Sequence, residues 1–228
     1  MAQMELNLDA FLATTQQGHE EGISLPAVVT IASLSGVDGF SLSYDGRSSA
    51  FSEKDLELVI ASAMNTRFAL RIAPRAELFQ LALNLPVKQV TFCAANIFES
   101  YGADLETFVP QLKDAGKLVS FQLEPELALL KKAYRLQSDL VELNGKQYTQ
   151  NTNPAGQVEA QEQLALMAKT AEKNGIGVAI KGGVNYQNVL PLVNIEAVEN
   201  IVVGQAVFNR AIFVGLETAI RDFKSQVL

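Results

Sequence analysis

Short apolar runs alternate with longer amphipathic segments along the whole chain. The runs are rich in Val, Ile, Leu and Phe, and they fall at residues 4–8, 39–43, 67–72, 89–93, 118–122, 138–143, 176–181 and 200–204. Runs of this length are typical of strands that are buried on both faces of a parallel sheet. Eight strands alternating with helices predict an α/β fold, a closed (β/α)8 TIM barrel, with an open doubly wound sheet as the alternative.

Helix start signals lie between several of these runs. Ser24 followed by Pro26 combines an N-cap residue with an early proline. Ser52 and Asp55 have the spacing of a capping box, and Pro74 precedes a third amphipathic segment. Two further helices are predicted at residues 159–174 and 208–227.

Two longer polar segments are predicted as loops on the carboxyl-terminal side of the strands. They span residues 95–104, after the fourth strand, and 144–157, after the sixth. Barrel enzymes build their sites on this side. The second loop, rich in Asn, Thr, Gly and Gln, is interpreted as a polar connection, with a mobile flap as the alternative.

Chain length, net charge and hydropathy indicate the number of domains and argue against nucleic acid and membrane partners. A chain of 228 residues is long enough for one barrel, so we expect a single domain over residues 1–228. The net charge of -7, without a basic run, argues against nucleic acid as a partner. No apolar stretch is long enough to cross a bilayer, and the acidic first residues differ from a signal peptide. We therefore expect a cytoplasmic protein.

Residues that bind metals or form disulfides are scarce. The single cysteine, Cys93, excludes an internal disulfide, and its apolar surroundings indicate a buried, inert thiol. The single histidine, His19, lies in a Gly- and Glu-rich stretch and is interpreted as solvated. With no histidine pair and no calcium-loop spacing, we predict neither a metal site nor a cofactor.

The last two strands end at glycines. Gly182 and Gly183 follow the seventh strand, and Gly204 and Gln205 follow the eighth. Backbone N–H groups at such corners, just before a helix, are suited to holding an anion, and phosphate is usually bound at this place in (β/α)8 barrels. A phosphorylated small molecule is therefore the predicted ligand.

The same segment carries a family resemblance. The order GG-x-NY-x-NV-x-P, an apolar strand, and then GQAV-x-x-RA-x-x-x-GLE-x-AI resembles the C-terminal part of the pyridoxine 5'-phosphate synthase family. The matched positions are Gly183, Asn185, Tyr186, Asn188, Val189, Pro191, Gly204, Ala206, Arg210, Ala211, Gly215, Leu216 and Glu217. The resemblance implies a barrel that forms homo-oligomers and joins 3-amino-2-oxopropyl phosphate to 1-deoxy-xylulose 5-phosphate.

The family pattern is altered where its proton-transfer residues are expected. Ser43 replaces the general-base histidine, Arg71 replaces a catalytic glutamate, and Gly182 replaces a second histidine, with Lys181 where glycine is usual. Other family histidines and basic residues correspond to Ala10, Thr15, Gly18, Asp45, Ser48, Ser49, Ala50 and Gln205. Asn7, Asp9 and Glu142 match the family. A positioned acid or base contributes about 10²- to 10⁴-fold to a rate, so these changes predict a loss of the standard chemistry.

The strand ends suggest a replacement site. Arg71, Glu142 and Lys181 are the catalytic candidates, and they are expected to meet at the barrel mouth. The predicted ligand-binding residues are Asn7, Asp9, Ser43, Asp45, Gly182, Gly183, Gly204 and Gln205. Arg and Lys suit phosphate or carboxylate binding, and a lysine can form a Schiff base. The alternative is that Arg71 pairs with Glu142 or Asp45 and closes the mouth.

Three functions remain open from the sequence. The first is a divergent family member that binds a phosphorylated metabolite without the synthase chemistry. The second is an active synthase that uses Glu142, Lys181 or water in new roles, and the third is a non-catalytic oligomeric scaffold to which residues 208–213 contribute an apolar surface.

Overall fold

The computed structural model describes residues 2–15, 22–47 and 51–227, and within them the chain forms a closed barrel of eight parallel strands. The strands are β1 (Gln3–Asn7), β2 (Gly39–Ser43), β3 (Arg67–Ile72), β4 (Gln89–Phe92), β5 (Leu118–Leu123), β6 (Leu140–Asn144), β7 (Gly177–Lys181) and β8 (Asn200–Val203). Each strand pairs with the next along the chain, and β8 pairs with β1. The predicted (β/α)8 barrel is confirmed, and the open sheet is excluded.

Helices connect the strands and cover the outside of the barrel. They are α1 (Asp9–Thr15), α2 (Leu25–Leu34), α3 (Glu53–Ser62), α4 (Ala76–Asn84), α5 (Ile97–Asp114), α6 (Leu127–Arg135), α7 (Lys146–Thr149), α8 (Pro154–Lys173), α9 (Val189–Val193), α10 (Gln205–Val214) and α11 (Leu216–Val227). None of the described helices is both long enough and apolar enough to cross a membrane.

The strands alternate between an apolar outer face and a partly polar inner face. The apolar core lies between sheet and helices, where Phe40, Phe92 and Phe121 are fully buried. The buried polar side chains of the strands are Glu5, Asn7, Ser41, Arg71, Gln89, Thr91, Ser120, Glu142 and Asn200. Most TIM barrels fill the interior with branched apolar side chains, so hydrogen bonds and ion pairs carry more of the interior packing here.

One such group closes the amino-terminal end of the barrel. The Arg67 guanidinium donates to Glu5 at 3.1 Å and to Asn200 at 2.7 Å, joining strands β3, β1 and β8. Burial raises the pKa of the Glu5 carboxyl, and the positive charge of Arg67 opposes that rise. These residues lie at the end of the barrel opposite the predicted site.

The predicted helix caps are confirmed at two places. The Ser24 side chain accepts a hydrogen bond from the Ala27 N–H at the start of α2. Ser52 and Asp55 form the full capping box of α3, in which each side chain accepts from the backbone N–H of the other. Local sequence therefore determines where these two helices begin.

Three predictions of local structure were wrong. Residues 97–104 belong to α5, which bends at the non-helical Tyr101, and only the segment before Ile97 is a loop. The 144–157 segment is interrupted by α7 and then enters α8 at Pro154. The single helix at 208–227 is two helices, because Gly215 adopts a φ of 80° that ends α10.

Candidate functional site at the barrel mouth

An ion pair joins the carboxyl ends of β3 and β6, and a hydrogen bond from the same arginine joins them to β5. The two terminal nitrogens of Arg71 face the two oxygens of Glu142, with a very short Nη1–Oε2 contact and a 2.9 Å Nη2–Oε1 contact. Arg71 Nη2 also donates to Gln122 Oε1 at 2.7 Å. Because β3 and β6 are not neighbours in the sheet, this pair crosses the barrel interior.

Both partners of this pair are buried. The side chains of Arg71 and Glu142 are 2% and 4% exposed. Burial alone lowers the pKa of Arg71, but the facing carboxylate outweighs burial, so the Arg71 pKa lies above its ordinary value and the guanidinium stays charged. Arg71 Nε has no hydrogen-bond partner among the described residues. The sequence leaves open whether Arg71 pairs with Glu142 or with Asp45. In the structure its carboxylate partner is Glu142.

A second polar group lies where β1, β2 and β7 end. Asp9 accepts two hydrogen bonds from Ser43, one from its backbone N–H and one from its hydroxyl, both at 2.8 Å. Lys181 Nζ lies 3.8 Å from Asp9 Oδ2, within ion-pair range but beyond a hydrogen bond. The Lys181 side chain is 24% exposed. This amine is therefore accessible in a way that the Arg71 guanidinium is not.

The glycine corner after β7 is held from one side. The carbonyl of Lys181 accepts from Gly145 N–H at 2.7 Å, that of Gly182 from the Thr149 hydroxyl at 2.9 Å, and that of Gly183 from the Asn188 amide at 3.0 Å. Gly183 has a φ of 70°, and a Cβ there would collide with Thr149. The corner therefore has one fixed conformation that requires glycine.

The corner after β8 is shaped by close packing on β1. A Cβ built on Gly204 would lie 2.6 Å from the backbone oxygen of Asn7. Gly204 also precedes α10, whose first N–H groups have no partner within the helix. The Gln205 side chain is exposed and donates to Asn209 at 2.8 Å. The Gln205 side-chain amide is thus bonded within α10.

Two cavities open beside the central ion pair. One, of about 390 Å³, is lined by Leu12, Ser43, Tyr44, Asp45, Phe51, Arg71, Ile72, Ala73 and Cys93. The other, of about 670 Å³, lies between the loops after β4 and β5 and includes Gln122 and three glutamates, Glu99, Glu124 and Glu126. The glycines of the two corners line neither of these cavities.

The remaining predicted residues have separate positions. Asn7 is buried and donates to Ser41 at 3.3 Å, and the Asp45 carboxylate accepts from the Arg47 N–H at 2.9 Å. Cys93 is half-buried rather than buried, and burial of its thiol raises the pKa to about 11. No group of three His, Cys, Asp or Glu side chains placed to hold a metal occurs among the described residues. His19, Gly18, Ser48, Ser49 and Ala50 lie outside the described residues, and so does the side chain of Thr15.

Some residues that fix the site were not predicted from the sequence. Gln122 accepts a hydrogen bond from Arg71, and Thr149 and Asn188 hold the β7 corner. Ser120 and Gln122 are two residues apart on β5 and so share one face of the strand, which is the sequence signal that could have predicted Gln122. For Asn188 the family resemblance gives a matched position but no role.

The fold and the place of these side chains define the class: a parallel (β/α)8 barrel with its polar site at the carboxyl ends of the strands. The family model described as pyridoxal phosphate biosynthesis protein PdxJ matches residues 5–228. The chain belongs to this family.

Curated relatives agree with this assignment. A pyridoxine 5'-phosphate synthase of Syntrophobacter fumaroxidans is 28% identical over 238 residues, covering 100% of this chain and 99% of the relative. Another from Pelobacter propionicus is 28% identical over 235 residues and covers 97% of both chains. The similarity thus spans the barrel and is not confined to the C-terminal motif.

Solved structures support the fold alone. The barrel is similar to KGPDC from Streptococcus mutans, with a TM-score of 0.66 at 12% identity over 100% of this chain and 97% of that one. It is also similar to thiamine phosphate pyrophosphorylase from Pyrococcus furiosus, with a TM-score of 0.66 at 13% identity over 99% and 95%.

Breaking the buried Arg71–Glu142 pair should lower the free energy of unfolding more than breaking an exposed ion pair does. We expect Glu142→Gln to lower the free energy of unfolding by about 3–5 kcal/mol, since it leaves the Arg71 charge buried without its carboxylate. Lys132→Met, which removes the exposed Lys132–Glu99 pair, should cost at most about 1 kcal/mol. Urea unfolding followed by circular dichroism measures both. Equal effects of the two substitutions would contradict the assignment.

The approach of Gly204 to β1 predicts a position-specific effect of alanine. Gly204→Ala should destabilise the barrel by about 1–3 kcal/mol, since the new methyl group collides with the Asn7 carbonyl. Gly102→Ala is the matched control in α5, where a Cβ meets no atom within 4 Å, and it should stabilise by up to about 1 kcal/mol. Melting temperatures that change in the same direction would refute this packing.

Proposed function

We propose that this barrel binds a phosphorylated small metabolite at its mouth and has lost the standard chemistry of pyridoxine 5'-phosphate synthesis. The observation that carries this proposal is the Arg71–Glu142 pair. The one glutamate retained from the family pattern at a strand end is held by a buried guanidinium in bidentate contact. A carboxylate in that position is poorly placed to accept protons from a substrate.

The replacement of imidazole supports the loss of chemistry. Ser43, at the position of the family's general base, donates its hydroxyl proton to Asp9. A serine hydroxyl cannot accept a proton at neutral pH as a histidine does, because the unperturbed pKa of histidine is about 6.5. Among the described residues no histidine lies at a strand end.

The orientation of the β7 corner supports phosphate binding. In a trans peptide the C=O and the following N–H point in opposite directions. Since the carbonyls of Lys181, Gly182 and Gly183 are bonded to the segment around α7 and to Asn188, the N–H groups that follow them point the other way. Within the described part of the chain, the N–H group of Gly183 has no hydrogen-bond acceptor. An unpaired backbone N–H group at the end of a strand suits an anion such as phosphate.

The positive charge of Lys181 adds to this support. Its amine is partly exposed, it directly precedes the glycine pair, and its nearest carboxylate, Asp9, is already bonded twice to Ser43. A lysine near backbone N–H groups is a common arrangement for holding a phosphate as a point charge.

An oligomer is part of the proposal. Ile212 and Phe213 are 67% and 86% exposed at the end of α10, whereas Phe208 packs edge-to-face on Phe11 at 5.2 Å. Large exposed apolar side chains in sequence are typical of interfaces between subunits. Within residues 208–213, Ile212 and Phe213 are therefore the surface that a homo-oligomer would cover.

Turnover is the direct test of the lost chemistry. We expect the purified protein, mixed with 3-amino-2-oxopropyl phosphate and 1-deoxy-xylulose 5-phosphate, to form pyridoxine phosphate at least about 10⁴-fold more slowly than the Syntrophobacter fumaroxidans synthase assayed in parallel. Product absorbance measures the rate. A comparable rate would instead support an active synthase with reassigned residues, and a rate that survives Glu142→Gln and Lys181→Ala together would exclude these two as the reassigned residues.

Ligand binding is tested by thermal stability. We expect dihydroxyacetone phosphate to raise the melting temperature, because a ligand at 100 times its Kd stabilises the folded state by about 2.7 kcal/mol. Dihydroxyacetone, which lacks the phosphate, should leave the melting temperature unchanged. Failure of both compounds and of inorganic phosphate to stabilise the protein would favour the non-catalytic scaffold.

A further inference from the structure

The two cations at the mouth differ in what they are free to do. Arg71 is buried in a bidentate pair with Glu142 and also bonds Gln122. Lys181 is partly exposed, and its amine is 3.8 Å from Asp9 Oδ2, beyond hydrogen-bond distance. Lys181 therefore has a primary amine that can leave its carboxylate neighbour without breaking a close hydrogen bond.

The topology places this amine next to the anion corners. Lys181 ends β7 and Asp9 begins α1 directly after β1, while β8 lies between β7 and β1 in the sheet. Gly204, directly after β8, therefore lies between the strand ends that carry Lys181 and Asp9, and Gly182 directly follows Lys181. A phosphate held at the corners would thus be adjacent to a nucleophilic nitrogen.

We propose that Lys181 forms a Schiff base with the carbonyl group of a phosphorylated ketone or aldehyde bound at the glycine corners. This inference rests on the proposed function, because the phosphate must first be held beside the lysine. Phosphate binding orients the carbonyl carbon within reach of Nζ and so makes the addition intramolecular in effect.

The step balances with the protein and the ligand alone. Unprotonated Lys181 Nζ adds its lone pair to the carbonyl carbon, and the carbonyl oxygen takes up a proton to give a carbinolamine. Loss of a proton from nitrogen and departure of the protonated hydroxyl as water leave a C=N bond. No oxidant, reductant or metal is needed, and hydrolysis by one water reverses the reaction.

Asp9 and Ser43 are placed to move the protons of this step. The Asp9 carboxylate faces Lys181 Nζ and accepts the Ser43 hydroxyl through the same oxygen, Oδ2. A carboxylate there can take a proton from the attacking nitrogen and return it to the departing oxygen, as general acid–base catalysis requires. All three residues were expected at the barrel mouth, but only the side-chain positions show that Asp9 contacts both of the others.

The test is reductive trapping. The full chain is incubated with dihydroxyacetone phosphate and sodium cyanoborohydride, digested, and mapped by mass spectrometry. We expect a reduced adduct on the peptide that carries Lys181. Dihydroxyacetone without the phosphate should give at least about tenfold less adduct, because it lacks the group that holds it beside the amine.

Matched variants distinguish the role of Lys181 as a nucleophile from its role as a positive charge. Lys181→Arg keeps the cation and should keep the melting-temperature rise with dihydroxyacetone phosphate, but it should give no adduct. Lys146→Met removes the neighbouring exposed lysine, whose Cγ lies 3.1 Å from the Cβ position of Gly182, and should trap as well as the unsubstituted protein. Asp9→Asn should slow trapping while Lys181 remains the modified residue.

The outcomes separate this inference from the proposed function. If dihydroxyacetone phosphate stabilises the protein but Lys181 carries no adduct, or if Lys146 and Lys181 are labelled equally, Schiff-base formation is refuted and phosphate binding stands. If neither dihydroxyacetone phosphate nor inorganic phosphate stabilises the protein, the proposed function itself fails.

Discussion

The ion pair between Arg71 and Glu142 sets the conditions for the rest of the barrel mouth. It spans the interior between non-adjacent strands, and burying both charges is tolerable only because each meets the other, with a further hydrogen bond from Arg71 to Gln122. The pair occupies the barrel interior between β3 and β6. The other polar groups at the strand ends are the Asp9, Ser43 and Lys181 side chains, which lie together where β1, β2 and β7 end.

Two glycines of the family resemblance occupy positions that the structure fixes by packing. Backbone features of the family persist: Gly183 is fixed by Thr149 and by Asn188, and Gly204 packs against the β1 backbone. Such features depend on the absence of a side chain and survive changes elsewhere. At the strand ends, Ser43 bonds Asp9, Arg71 bonds Glu142, and Lys181 lies within ion-pair range of Asp9. The proposed function combines these side-chain contacts with an anion held at the glycine corners.

The fold could be predicted from the sequence because the barrel depends on repeated local signals. Apolar strands with helix caps between them, such as the Ser52–Asp55 box, predict the alternation directly. Prediction failed where tertiary contacts decide. The bend at Tyr101 inside α5 and the break at Gly215 depend on packing and on one backbone angle, and neither changes the apolar pattern enough to be seen. For the site, the strand ends predict Arg71, Glu142 and Lys181 at the barrel mouth, but the sequence does not determine which partner each of them meets.

The proposed function requires an anion site beside an Arg71–Glu142 pair that stays closed. A crystal structure of the protein with dihydroxyacetone phosphate tests this claim most directly. We expect the phosphate within hydrogen-bond distance of the N–H groups of Gly183 and of the residues at the start of α10, with Arg71 still bound to Glu142. A phosphate bound instead by Arg71, with Glu142 released toward the ligand, would contradict the account.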